Sequence, residues 1–393
     1  MGKFCVFHHS DLDGMGVKIL GMLIGRAKGY NAEDIQTYKC NYGDIDQIIQ
    51  KRLDGNSPEN DGLIDEILIG DISVQSKEMA DTLNNMYYEF DLRLNLLDHH
   101  ATAMWMNEYE WAKVREVDGG GVARCGTYWV FEEFKQLLSA HDMINDAVLK
   151  FVDLVDEYDT WRWMDDKENP NTDADKLNNV FKMMYEERFT EYMINIIDED
   201  YDLFDETADM LCEVRNNQLD HRAAQLDGDM WIGDYKFSMK YGDGVYEEVM
   251  AYYNEHRRED DKVGAEKRWY DEFWSRIHNS SYHKTFKVGV VYYNHDISDI
   301  GNRLLTKHPE LDFIIFVCLP GLMSYRSAKE LAIPLGIIAK YTTGSGGGHP
   351  ESAGGKIRGR VCANALFDIV HPLENIVNTK THNRYNNFAR EKD

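Results

Sequence analysis

Three short segments in the first hundred residues place histidine and aspartate directly after an apolar run. The segments VFHHSDLDG, LIGDIS and NLLDHH contribute His9, Asp11, Asp13, Asp71, Asp98, His99 and His100. Carboxylates that gather in one place raise one another's pKa unless a cation neutralises them. Imidazoles and carboxylates without thiolates suit manganese, with magnesium, cobalt or iron as alternatives, and disfavour structural zinc. The three segments together predict a divalent metal site.

A pair of metal ions would give such a site a defined chemistry. Two divalent ions bridged by a carboxylate hydrolyse phosphoesters, because they activate the nucleophile and stabilise charge on the phosphoryl oxygens. Each segment alone has a plainer explanation, since D-x-D-G is common in turns and Ser10 or Asp11 could cap the following helix. The joint pattern of three segments favours the metal-site hypothesis.

The elements around these segments would bring their side chains together. The apolar runs KFCVFHH, EILIGDI and LRLNLLDHH alternate with the helical patterns GMGVKILGMLIGRA and KEMADTLNNMYYE. Strands that alternate with helices predict a parallel sheet covered on both faces. Further helices are predicted in GGGVARCGTYWVFEEFKQLL and MINDAVLKFVDLVDEYDTW, and the polar stretch MDDKENPNTDADKLNN is predicted as a loop that closes the unit. Because the carboxyl ends of parallel strands meet at one edge, the His and Asp side chains should converge there.

A second cluster near the carboxyl terminus is suited to phosphate. The segment TTGSGGGHPESAGGKI lets the backbone approach an anion closely, with His349 as a donor, and its glycines include Gly344, Gly346, Gly347 and Gly348. The segment MSYRSAKE places Arg326 and Ser327 after a predicted strand, and arginine binds phosphate with two parallel hydrogen bonds. A flexible connection and a surface arginine are the plainer alternatives. Together the two segments favour a substrate-binding site.

Composition limits the partners. The chain has 393 residues, a net charge of -26 and a pI near 4.9, which argue against a broad grip on long nucleic acid, because that needs a basic surface. Any phosphate ligand must therefore be bound locally. Six scattered cysteines fit a reducing cytoplasm, and the run FIIFVCLPGLM is too short and too interrupted to cross a membrane. We expect a cytoplasmic enzyme without a membrane partner.

The motifs, in this order, resemble those of the DHH phosphoesterases that carry a DHHA1 substrate-binding domain, with bacterial nanoRNases (oligoribonucleases) as the nearest type. HSDLDG resembles motif I, GDIS motif II, DHH motif III, DTW motif IV, and GGGHPESAGG the terminal signature, in which Ser352 and Ala353 are a mild departure. The resemblance implies an α/β fold: a parallel-sheet DHH domain at 1–200, a helical linker at 201–229 and a smaller α/β DHHA1-like domain at 230–393. A charged helical insertion at 246–278 is either a solvated hairpin or a packing surface for a partner subunit, as in a homodimer.

The resemblance also implies roles for single residues. One manganese would be held by His9, Asp11 and Asp71, and the other by Asp13, Asp71, His99 and Asp159. Asp71 would bridge the two ions, while Asp98 and His100 would orient a ligand histidine and the attacking water. Asp159 is preferred to Asp153 and Asp156 only because DTW matches motif IV. Arg326, Ser327, Gly346, Gly347, Gly348 and His349 would bind substrate.

The expected reaction is manganese-dependent hydrolysis of very short oligonucleotides to nucleoside monophosphates, with Mg²⁺ or Co²⁺ as alternative ions. Trp161 or Trp163 could stack on a base, although core packing explains either ring equally well. The alternatives left open are a 3'-phosphoadenosine 5'-phosphate phosphatase, a phosphodiesterase for cyclic or linear dinucleotides, and a nucleotide sensor without catalysis.

Overall fold

The computed structural model describes residues 2–55, 63–164, 171–240, 281–318, 322–329, 331, 333–343, 346–348 and 351–356. The chain forms two compact units, which we call unit 1 (Met1–Asn216) and unit 2 (Asn217–Asp393). The charged insertion at 246–278 and His349 lie outside the described residues. The assignment of 1–200, 201–229 and 230–393 to a metal-binding domain, a linker and a substrate-binding domain stays a prediction.

Unit 1 contains a five-stranded sheet in which every strand pair is parallel. The strand order is β2-β1-β3-β4-β5, and the strands are β1 (Lys3–His8), β2 (Ile35–Lys39), β3 (Ile64–Gly70), β4 (Arg93–Asp98) and β5 (Ala112–Val114). Connections leave β1 toward β2 on one side and return to β3 on the other. The sheet therefore has its switch point between β1 and β3, where crevices form in sheets of this type.

Helices cover both faces of this sheet. The helices that begin in unit 1 are α1 (Leu12–Ala27), α2 (Ile45–Asp54), α3 (Lys77–Glu89), α4 (Gly126–Ala140), α5 (Asp146–Asp159), α6 (Thr172–Met183), α7 (Glu186–Glu199) and α8 (Glu206–Asp229), the last of which passes the division between the units. Successive residues of β1 alternate between two cores: Phe4 and Val6 pack in one, and Cys5 and Phe7 in the other. The predicted α/β class is confirmed.

Two local predictions need correction. The glycines that were expected to open a helix, at 119–121, lie in a turn closed by a bridge between Val117 and Ala123, and α4 begins only at Gly126. Asp118 explains the turn, because its carboxylate accepts the N–H groups of Gly120 and Val122. The polar stretch predicted as a closing loop contains the start of α6, which Asn171 caps.

Unit 2 contains a six-stranded mixed sheet in the order β10-β11-β9-β8-β7-β6. Its elements are β6 (Trp231–Lys240), β7 (Ser281–Tyr292), α9 (Ile297–Lys307), β8 (Phe313–Cys318), β9 (Leu322–Arg326), α10 (Leu335–Thr343), β10 (Gly347–Gly348) and β11 (Ser352–Lys356). Only β7 and β8 pair in parallel within it. Across the described parts of both units, every helix is too short or too polar to cross a lipid bilayer.

Candidate metal centre

The first group of side chains lies where β1 passes into α1. Asp11 caps α1, because its Oδ1 accepts the N–H of Gly14 at 3.0 Å. Its Oδ2 lies 2.6 Å from Nδ1 of His9. Burial opposes ionisation, but the hydrogen bond and charge of His9 hold the pKa of Asp11 below its ordinary value. Asp11 thus caps the helix, as the plainer alternative predicted, and it also contacts a histidine of the cluster.

Asp13 is fixed by the amino terminus of a helix that begins more than one hundred residues later. Its Oδ2 accepts the N–H of Gly126 and its Oδ1 the N–H of Thr127, both at 2.7 Å. The Thr127 hydroxyl donates to the Asp13 carbonyl at 2.7 Å as well. Free N–H groups and the dipole at a helix start stabilise a carboxylate. These backbone and hydroxyl contacts therefore fix the orientation of Asp13, which is buried.

Asp71 follows β3 directly and occupies the middle of the cluster. Its φ of 57° is in the left-handed region, and its N–H donates to the Leu97 carbonyl at 3.1 Å. A Cβ atom at Gly126 would come within 2.7 Å of the Asp71 Cα, so only glycine fits at the start of α4. Burial and then the charges of Asp13 and Asp11 raise the pKa of Asp71 well above its ordinary value.

The end of β4 carries the DHH segment. Asp98 is fully buried, and its Oδ1 accepts the N–H of His99 at 2.7 Å and lies 2.8 Å from Nδ1 of His100. Its Oδ2 accepts the Ser73 hydroxyl at 2.6 Å. Burial lowers the pKa of His100, but Asp98 outweighs it and the net pKa is raised. Asp98 thus fixes the ring of His100 and the backbone at His99, and its role behind the metal ligands stays a prediction.

The ring of His99 faces three carboxylates. Its Nε2 lies 3.3 Å from Oδ1 of Asp71, 3.6 Å from Oδ2 of Asp13 and 3.6 Å from Oδ2 of Asp159. Asp159 is the last residue of α5. Burial and then the charges of Asp13 and Asp11 raise the pKa of Asp159 well above its ordinary value. The structure therefore brings all six residues predicted as metal ligands to one edge of the sheet.

Asp153 and Asp156, the two alternatives to Asp159 on α5, have different surroundings. Asp156 is buried and accepts the N–H of Cys125 at 2.8 Å and the Arg124 guanidinium at 2.7 Å. It also pairs with Arg162. Asp153 is exposed. The choice among the three aspartates, which the spacing of the sequence left open, thus favours Asp159 on geometry, and its role as a ligand stays a prediction.

The donor set fits divalent cations. Oδ2 of Asp71 and Nε2 of His99 are buried and have no hydrogen-bond partner among the described residues. Among the described residues, three subsets of side chains have ligand atoms close enough together to share an ion. Asp71 belongs to two of these subsets, one with His9 and one with His99. Its Oδ2 lies 3.8 Å from Nδ1 of His9, and its Oδ1 faces His99. Cations would satisfy the orphaned atoms and relieve the repulsion that raises the carboxylate pKa values.

Two curated relatives align with most of the chain. Oligoribonuclease NrnB of Bacillus subtilis (strain 168) is 25% identical over 363 residues, which cover 91% of this chain and 73% of that protein. A 3',5'-cyclic-nucleotide phosphodiesterase of Helicobacter pylori (strain ATCC 700392 / 26695) is 24% identical over 390 residues, which cover 95% of this chain and 99% of that protein. The chain resembles the DHH/DHHA1 phosphoesterases. The predicted enzyme class, a phosphoesterase, is confirmed, although no family model matches the chain.

Solved structures overlap partially with this chain. RecJ of Thermus thermophilus in complex with Mn²⁺ has a TM-score of 0.47 at 11% identity, and the match covers 93% of this chain and 50% of RecJ. An uncharacterized protein from Helicobacter pylori G27 has a TM-score of 0.38 at 20% identity, and the match covers 96% of this chain and all of that one.

Tyr42 is a residue of the candidate site that the sequence did not indicate. It follows β2, and its ring centroid lies 5.5 Å from that of His9 and 5.6 Å from that of His100. The residue is 40% exposed. Burial, followed by the charge of Asp98, raises the pKa of Tyr42, so its hydroxyl remains a donor. No motif marks this tyrosine, because β2 is too polar to stand out as a strand.

His8 has a different role from its neighbour His9. It ends β1 with its ring buried, and its Nδ1 lies 2.8 Å from the His9 carbonyl. Burial lowers the pKa of His8 to about 4, so the ring is neutral at ordinary pH. A carbonyl can only accept, so Nδ1 carries the proton. His8 thus donates a hydrogen bond that holds the main chain at His9.

In unit 2 the predicted substrate residues have contrasting surroundings. Nη1 of Arg326 donates to Ser324 Oγ and to the Tyr325 carbonyl, both at 2.8 Å, and its Nε reaches Ser298 Oγ at 3.3 Å. Among the described residues no carboxylate pairs with this guanidinium. Ser327 is buried, and its hydroxyl donates to backbone carbonyls and accepts the Lys329 N–H. The N–H groups of Arg326 are thus largely engaged by hydrogen bonds, as is the hydroxyl of Ser327, and a role of either residue in binding substrate stays a prediction.

The glycine segment is more ordered than an open loop. Gly347 and Gly348 form β10 and pair with Gly354 and Ala353 of β11. A Cβ atom at Gly346 would lie 2.7 Å from the backbone of Ala339 in α10, so close packing explains this glycine. Gly344 and His349 lie outside the described residues. A role of this segment in binding substrate stays a prediction.

Proposed function

We propose that the chain is a manganese-dependent phosphodiesterase that hydrolyses very short oligonucleotides to nucleoside monophosphates with two ions. The observation that carries the proposal is the Asp71 carboxylate, which lies between His9 on one side and His99 on the other and keeps a buried oxygen without a partner among the described residues. A bridging carboxylate is the part that a two-ion site needs most. Mg²⁺ and Co²⁺ suit the same donors.

The residues of the chain divide the work of such a reaction. His9, Asp11 and Asp71 would hold one ion, and Asp13, Asp71, His99 and Asp159 the other. When bound, the ions would lower the pKa of water and stabilise charge on the phosphoryl oxygens.

His100, partly exposed and with a raised pKa from Asp98, can donate a hydrogen bond to a phosphate oxygen. Asp98 keeps that imidazole in place. Asp71, Asp98 and His100 are therefore the proposed catalytic group.

Charge and relatives together favour a short substrate. At a net charge of -26 the chain would repel a long polyanion except where cations neutralise it locally. The relative from Bacillus subtilis is named an oligoribonuclease. Two or a few nucleotides held at one site satisfy both points, in a protein that we place in the cytoplasm.

A cyclic 3',5'-nucleotide is the second candidate substrate. The relative from Helicobacter pylori is named for that activity, and the match covers almost its whole length. A cyclic ester presents the same phosphodiester to the metals but carries only one phosphate. Arg326, which we expect to bind a neighbouring phosphate, would then have no phosphate to bind.

A substrate panel decides among these functions. With Mn²⁺, the protein is expected to cleave RNA substrates of two to four nucleotides with a kcat/KM at least tenfold higher than for the other candidate substrates. These are longer oligomers, cyclic mononucleotides, cyclic dinucleotides and 3'-phosphoadenosine 5'-phosphate. Preference for a cyclic nucleotide would replace the proposal with the second candidate. Nucleotide binding without any turnover would indicate a sensor.

Arg326 should matter only for substrates with a second phosphate. Arg326→Ala is expected to lower kcat/KM on a 5'-phosphorylated dinucleotide by roughly 10- to 100-fold, since a charged hydrogen bond contributes about 1.5 to 3 kcal/mol. Cleavage of a small chromogenic phosphodiester should change less than about twofold. Lys329→Ala is the matched control, because Lys329 is a neighbouring cation that pairs with Asp312. Equal losses on both esters would show that Arg326 is not a substrate anchor.

A further inference from the structure

Trp161 has an unfavourable backbone conformation for its residue type. Its φ is 60°, in the left-handed region. The five other non-glycine residues with positive φ in the described chain are all aspartates, namely Asp71, Asp91, Asp142, Asp200 and Asp296. Aspartate tolerates this region through its short polar side chain, whereas a bulky residue there is an outlier. Such outliers concentrate at functional sites.

Packing in the core does not explain this tryptophan. Trp161 is 46% exposed, whereas Trp163 packs against the hydrophobic core of unit 1. A residue kept only for burial would not leave half its surface in water while its backbone is strained. The two explanations left open by the sequence therefore separate: Trp163 is a packing residue, and Trp161 needs another reason.

The ring of Trp161 belongs to a cluster of three nearly parallel aromatic rings, which we call the stack. Its centroid lies 6.0 Å from Trp163 and 6.5 Å from Tyr158, with interplanar angles of 26° and 24°. Tyr158 and Trp163 are themselves 6.2 Å apart at 14°. Offset, nearly parallel rings at these distances are mutually attractive. The stack holds the exposed ring in a fixed orientation before any ligand arrives.

The chain places this stack next to the metal centre. Trp161 follows Asp159 by two residues, which limits the separation of their Cα atoms to roughly 7 Å. Its N–H donates to the Tyr158 carbonyl at 3.2 Å, and its carbonyl accepts the Met164 N–H at 3.1 Å. Both hydrogen bonds fix the left-handed turn. The backbone of Trp161 is therefore close to a predicted metal ligand.

We propose that Trp161 is a stacking platform for the nucleobase beside the scissile phosphate, an inference that rests on the proposed function and specifies how its substrate is held. Every nucleobase has an aromatic face, so such a platform would add affinity without selecting a sequence. The strained turn presents the ring, and its contacts with Tyr158 and Trp163 hold it in this orientation.

The test is a thermodynamic cycle in which the Trp161 ring and one nucleobase are removed separately and together. Full-length wild type and Trp161→Ala, both with Mn²⁺, are compared on an RNA dinucleotide and on two analogues that each lack one base. Trp161→Ala is expected to reduce kcat/KM on the dinucleotide by roughly 5- to 100-fold. On one of the two analogues the wild type should already have lost a similar factor, and the variant should lose little more.

Further variants separate stacking from folding. Trp161→Gly suits the positive φ, so it should be folded at least as stably as wild type and yet lose the same activity as Trp161→Ala. Trp161→Phe should retain most activity. Phe90→Ala is the control, because Phe90 is an exposed aromatic residue near the opposite end of β4 from the site. Mn²⁺ binding should be equal in all of them.

Two outcomes contradict the inference in distinguishable ways. Equal losses for Trp161→Ala on the dinucleotide and both analogues, with an active wild type, would overturn the platform alone. Failure of the wild type to cleave any dinucleotide, while it cleaves another phosphodiester, would overturn the proposed function and this inference with it.

Discussion

Asp71→Asn is expected to lower phosphodiesterase turnover by roughly a thousandfold or more, as for residues on which the whole reaction depends. Asparagine keeps the size of the side chain but removes the charge that two groups of ligands share. Asp153→Asn is the matched control, since Asp153 is an exposed carboxylate on α5, and it should retain full activity. Initial rates on a dinucleotide measure both. Near-normal turnover in Asp71→Asn would contradict the two-ion proposal.

The same variant should not be less stable when metal is absent. Burial and the charges of Asp13 and Asp11 raise the pKa of Asp71 above its ordinary 3.8, so the folded state binds this proton more tightly than the unfolded state. The metal-free wild type therefore loses stability through Asp71 as the pH rises above 3.8. Urea titrations of both proteins should show Asp71→Asn gaining on wild type over that range. A constant difference with pH would contradict this account of the cluster.

Removal of metal should abolish activity altogether. After exhaustive dialysis against a chelator we expect turnover at the background rate, and we expect added Mn²⁺ to restore it. The orphaned oxygen of Asp71 and nitrogen of His99 give the reason, because neither atom has another partner among the described residues. Activity that survives complete metal removal would require a different mechanism.

Stability provides an independent readout of the same ions. The unfolded chain has no site, because the ligands come from positions as far apart as His9 and Asp159. Mn²⁺ at one hundred times its dissociation constant should therefore add about 2.7 kcal/mol to the free energy of unfolding. The gain should be much smaller for Asp71→Asn and unchanged for Asp153→Asn.

The sequence predicts the frame of the site well because strand ends carry most of the predicted ligands. The runs that became β1, β3 and β4 are mostly apolar and largely buried, and a polar residue directly after such a run must lie at the edge of the sheet. That argument needs no knowledge of side-chain contacts. It brings His9, Asp71 and Asp98 together before the structure is known.

What the sequence could not provide are contacts between distant elements. The helix α4 that holds Asp13 is separated from it by more than one hundred residues, and no periodicity links the two. β2 has partly buried side chains along most of its length, so its polar pattern hid both the strand and the Tyr42 that follows it. Asp153, Asp156 and Asp159 share one helix, and only their neighbours distinguish them.

The support of Asp13 by main-chain N–H groups affects how this site can persist during evolution. The hydrogen bonds at residues 126 and 127 come from the peptide backbone, so most side-chain replacements nearby leave them intact. Proline, which lacks the N–H, and any residue larger than glycine at 126 are the exceptions. The orientation of this carboxylate is thus inherited with the fold. Sequences can drift a long way around it while the geometry of the metal centre stays the same.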